Sequence, residues 1–102
     1  MRVFQNDKLP FPTEIVPKEV FDVHKDIDLE IGSGTGDFAI SYSESNPSRF
    51  LIAVERTSNK FNTFQNKQQP SNLLCLHADA RSVVVHCIPE KSLKRIFLLY
   101  PN

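Results

Sequence analysis

Carboxylates and glycines share one short stretch of this chain. In DLEIGSGTGDFA, residues 28–39, an apolar run ends in Glu30, and Gly32, Gly34 and Gly36 follow at alternate positions before Asp37. Glycines so spaced let the backbone turn tightly and let a ligand come close to it. The start of a helix behind them favours anionic groups. A nucleoside triphosphate loop would end in Gly-Lys-Ser/Thr, and no lysine occurs between Lys25 and Lys60, which excludes it. A dinucleotide fingerprint would place its third glycine at position 37. Asp37 stands there instead, and its carboxylate would repel a pyrophosphate.

The spacing actually present is E-x-G-x-G-x-G, from Glu30 to Gly36. It suits S-adenosylmethionine, which has no phosphates and carries a sulfonium and an amino group. Acids at the loop then help: Glu30 or Asp37 can meet the positive end of the ligand in a charge-assisted contact. Glu55 ends the next apolar run, where an acid can take both ribose hydroxyls. Asp79 follows the third run and can receive the exocyclic amine of adenine. Plainer readings stand beside these: Asp79 as the cap of a following helix, Glu55 as a solvated strand end.

These acids need a scaffold that delivers them to one rim. The apolar runs 27–31, 49–55, 73–77 and 94–100 read as strands. The second is apolar enough to be covered on both faces. Between them, 36–45 reads as a helix with Phe38, Ala39 and Tyr42 on one side. A second helix is capped by Thr57 or Ser58, with Phe61 and Phe64 inward. Residues 80–88 form a third, weakened by Val83, Val84 and Val85. Pro17 can open a short helix before the first strand. The alternation implies an α/β fold with a parallel sheet and right-handed crossovers, whose ligand sites form at the carboxyl ends of the strands.

Composition narrows the function classes. Twelve basic residues balance twelve acidic ones, which counts against gripping nucleic acid unaided. Cys75 and Cys87 lack zinc spacing and read as buried thiols in a reducing compartment. No run approaches a membrane span, and the N-terminus lacks the apolar core of a signal peptide, so the expected location is cytoplasmic. His77 and His86 read as core histidines and His24 as solvated, with no metal site. Lys91, Lys94 and Arg95 form a basic cluster that either meets RNA phosphates or is a solvated strand entrance.

DLEIGSGTGDFA, FLIAVER, NLLCLHADA and SLKRIFLLYPN, in this order and spacing, resemble the tRNA (guanine-N(7)-)-methyltransferases, over residues 27–102. The glycine motif alone marks only Rossmann-like methyltransferases; FLLYPN is more specific. The resemblance implies a Rossmann-like sheet of about four strands in the order 3-2-1-4, S-adenosylmethionine as cofactor and tRNA as substrate. It implies that Glu30, Gly32, Gly34, Gly36, Glu55 and Asp79 bind the cofactor. Asn102 falls where many members carry an aspartate beside the methyl-transfer site, and the change removes a charge there.

Two parts are expected: an arm with a short helix over 1–26 and the cofactor-binding domain over 27–102, truncated after strand four. Members of the family are longer, and the remainder would carry most tRNA contacts. An apolar fourth strand without a fifth is an open edge, so self-association or a partner chain is expected there. These 102 residues are expected not to methylate tRNA alone. Two other readings stand: a Rossmann-like methyltransferase with a different substrate, and a non-catalytic module that binds the cofactor or a partner.

Overall fold

Residues 9–98 are described by a computed structural model of the chain. Asn102 lies outside them, as do Leu99 and Tyr100 of the expected fourth strand. Among the described residues eight elements follow in order: α1 (Lys18–Val23), β1 (Ile27–Ile31), α2 (Asp37–Ser45), β2 (Phe50–Glu55), α3 (Ser58–Gln65), β3 (Leu73–His77), α4 (Ala80–Cys87) and β4 (Leu93–Leu98). The strands form one parallel sheet in the order β3-β2-β1-β4. This is the expected Rossmann-like arrangement.

Strand periodicity divides the core into two layers. Ile27 and Leu29 of β1 with Phe50, Ile52 and Val54 of β2 pack on one face with Leu76, Val83 of α4 and Val16 of the arm. Leu51, Ala53 and Leu73 pack on the other with Ala39 of α2 and Phe64 of α3. β2 is buried along its whole length, as its apolar run requires. The valines of α4 are tolerated because Val83 is fully buried; packing outweighs their modest helix cost. The arm is docked: the Glu14 carboxylate accepts a hydrogen bond from the His77 amide (2.8 Å) at the outer edge of β3.

Among the described residues β4 pairs with β1 alone, and a register shift between Ile27 and Asp28 marks where it joins. Ile96 and Leu98 are 60% and 57% exposed, so the apolar edge expected from the sequence is present among the described residues. Two local expectations change. His24 is half-buried against Phe50, ring centroids 4.3 Å apart, where solvation was expected. Thr57 occupies the N-cap of α3 without capping it, because its hydroxyl is drawn to Glu55. No helix among the described residues is long and apolar enough to cross a membrane.

Candidate functional site

The loop from Gly32 to Gly36 joins β1 to α2 at the carboxyl end of the sheet. All three glycines have positive φ, at 75°, 61° and 91°. The need is sharpest at Gly36, where a Cβ would lie 2.3 Å from Cδ1 of buried Phe64. Gly34 differs: a Cβ there would meet open space, so its backbone faces the cleft bare. The loop is anchored from below, since the Gly32 and Ser33 amides both donate to the Val54 carbonyl, at 3.0 and 3.1 Å.

Glu55 is the clamp of this site. Its Oε1 accepts from the Gly34 amide at 2.7 Å, and its Oε2 accepts from the Thr57 amide at 3.0 Å and the Thr57 hydroxyl at 2.6 Å. Burial pushes its carboxyl up, but the Thr57 and Gly34 hydrogen bonds outweigh that and hold it below the usual range. A carboxylate offers about four acceptor positions. Three are filled here, so a ligand hydroxyl finds about one, where the sequence suggested room for two hydroxyls.

Glu30 is the opposite case. It is 1% exposed, and its Oε1 has no hydrogen-bond partner. Burial raises its carboxyl above the ordinary value, and the neighbouring Glu55 charge adds to that; the Ser33 hydroxyl works the other way. That hydroxyl is itself buried without a hydrogen-bond partner. Such orphaned groups call for an explanation, and both line an open cleft of about 640 Å³.

The cleft brings together most of the residues singled out in the sequence. Glu30, Gly32, Gly34, Asp37 and Glu55 line it, together with Arg56, Thr57 and Lys60. Gly36 is the hinge behind the loop. Asp37 is 86% exposed at its side chain and pairs with Lys67 at 2.8 Å, a contact worth about 1 kcal/mol or less. Asp79 takes the plainer reading in this structure. Its Oδ1 caps α4 by accepting from the Arg81 amide (2.9 Å), and its Oδ2 pairs with the Arg81 guanidinium (3.0 Å). Those bonds, the guanidinium's first, hold its carboxyl low. Its neighbours Ala78 and Ala80 line the cleft.

Sequence reasoning missed Thr57 as the partner of Glu55 and Ser33 as a buried hydroxyl. The first had a signal, an acid two residues before a threonine at a strand end; the second had none. His77 stacks on Phe61 and His86 contacts the Leu9 carbonyl, so both are packed histidines. Arg95 of the basic cluster is engaged, donating to the Tyr42 hydroxyl at 2.9 Å. No group of His, Cys, Asp and Glu among the described residues is arranged to hold a metal. The floor of the cleft therefore carries carboxylates and bare backbone. It can take a cation and a hydroxyl, and it disfavours phosphate.

Residues 24–102 match a protein family described as "Putative methyltransferase". The chain belongs to this methyltransferase family. A protein named tRNA (guanine-N(7)-)-methyltransferase from Saccharophagus degradans is 33% identical over 99 residues, 90% of this chain and 42% of its own length. One from Ruegeria sp. is 32% identical over 80 residues, 76% of this chain and 31% of its own length. One from Chlamydia caviae is 28% identical over 102 residues, 97% of this chain and 44% of its own length. The chain thus spans less than half the length of these members of the methyltransferase family.

Proposed function

We propose that this chain carries the cofactor-binding half of an S-adenosylmethionine-dependent enzyme that methylates N(7) of guanine in tRNA. The observation that carries the reading is Glu30, a buried carboxylate with an unpartnered oxygen lining a cleft whose glycine loop is clamped by Glu55. The donor set fits this cofactor: an acid for a cation, bare backbone at Gly34 for close approach, and one free acceptor position on Glu55 for a hydroxyl. When bound, the cofactor supplies an electrophilic methyl carbon on a sulfonium.

This chain's own residues bind and orient. Glu30 faces the positive end of the cofactor, Glu55 accepts from a ribose hydroxyl, and Gly32, Gly34 and Gly36 shape the loop. Asp79 reaches the adenine amine only by sharing its carboxylate with Arg81. Asn102, outside the described residues, positions the guanine or the cofactor amine and moves no proton. Guanine N(7) offers a lone pair and carries no proton, so the transfer needs no general base. Proximity and orientation supply the main help, about 7–11 kcal/mol.

Calorimetric titration of S-adenosylmethionine into the chain, beside Glu55→Ala, tests the reading. Binding by the parent chain that the variant loses supports it; a folded parent chain that shows no binding overturns it.

A further inference from the structure

We propose that Glu30 makes the cleft selective for a cationic ligand and that such a ligand displaces a proton from it on binding. The inference rests on the cofactor reading above and concerns how that same site is regulated. Glu30 finds only the Ser33 hydroxyl, among the described residues, to favour its charged form. It is 1% exposed, its Oε1 is unpartnered, and the Ser33 hydroxyl beside it is unpartnered too.

The charges that face Glu30 are few. From β2 comes Glu55, held ionised by Thr57 and Gly34, a like charge that favours the protonated form of Glu30. From the start of α2 comes Asp37, exposed and paired with Lys67. Arg56 and Lys60 stand at the exposed mouth. β4 contributes Leu98 and α4 contributes Ala80, neither charged. No cation of the described residues lies within salt-bridge distance of Glu30, whereas Asp28 on the same strand has one. The missing countercharge is left to the ligand.

Burial already lifts the Glu30 carboxyl above its ordinary value. A cation seated against it favours the ionised form. Below that raised value the free protein holds a proton on Glu30, and the complex does not. The proton passes to the buffer as the ion pair forms. By linkage, affinity then falls as pH is lowered, approaching about tenfold per pH unit once Glu30 is protonated in the free chain.

The test is the affinity of S-adenosylmethionine for the full chain and for Glu30→Gln, from about pH 7 down to about pH 5, where the ligand's own ammonium stays charged. The expected result is affinity that falls with pH in the parent chain, and weaker, pH-independent affinity in Glu30→Gln. Parallel pH dependence in both proteins assigns the proton to Glu55 or Asp37 and overturns the proposal, as does flat affinity in the parent chain. No binding to folded parent chain at about pH 7 fails the cofactor reading itself, and this inference with it. Should Glu30→Gln not fold, titration of the parent chain in buffers of different ionisation heat counts the released protons directly. Release that rises toward the acid end supports the proposal, and none overturns it.

Discussion

Asp28 and Glu30 are two residues apart on β1, face the same side of the sheet and are both fully buried, at 0% and 1% exposure. Their surroundings are opposite. Asp28 accepts from Arg49 Nε and Nη2, both at 2.8 Å, and from the Tyr42 hydroxyl at 2.6 Å. Burial pushes its carboxyl up, yet Arg49 and Tyr42 win and hold it low. Glu30, one pleat nearer the carboxyl end, has no such partners and is pushed up. One acid is spent tying β1 to α2 and to the turn that enters β2; the other is kept for something that arrives. A buried charge left unsatisfied beside a cleft is thus the mark that separates a site from a staple.

The comparison breaks most readily at Asp28. Asp28→Ala leaves Arg49, with a side chain only 16% exposed, without its main partner, at a cost of about 3–5 kcal/mol. The denaturant midpoint should collapse, and whatever still folds should bind the proposed cofactor normally. Full stability with lost binding would exchange the roles of the two acids.

Next come the glycines. Gly36→Ala forces a Cβ into Phe64 and should cost about 1–3 kcal/mol as overpacking, read in thermal unfolding. Gly34→Ala has open space but keeps a left-handed backbone. It should cost about 1–2 kcal/mol and lose affinity out of proportion to stability.

The two acids also pull stability apart with pH. Asp28 and Glu55 sit below their unfolded values, so their contribution is present above the ordinary carboxylate range and is lost as pH falls through their folded values. Glu30 sits above its unfolded value, so its contribution is present in acid and is lost as pH rises through the raised folded value. Unfolding curves from about pH 7 to about pH 3 should therefore show that Asp28→Ala removes part of the acid loss. Glu30→Gln has the smallest effect and the opposite sign at neutral pH: it should raise stability by about 1 kcal/mol, about 4–8 °C, while weakening cofactor binding.

The sequence carries the strands and the placing of Glu30 and Glu55, because the first two apolar runs bring an acid to their carboxyl ends; the sheet order comes from the family resemblance. The sequence does not carry the difference between Asp28 and Glu30. Arg49 is 21 positions from Asp28, and nothing local to DLE announces that partner. Thr57 misleads for the same reason: a cap is a local rule, and the Glu55 carboxylate beside it overrides that rule. Asp79 shows the reverse, a local cap and an Arg81 two residues on that hold the side chain where a longer-range role was expected.

The most direct test is an amide NMR titration with S-adenosylmethionine. The account predicts that signals of Gly32 to Gly36 and of Glu55 to Thr57 shift together on binding, while those of Asp28, Tyr42 and Arg49 stay in place. Shifts centred on the Asp28 staple, or no shifts in a well-folded sample, would contradict it.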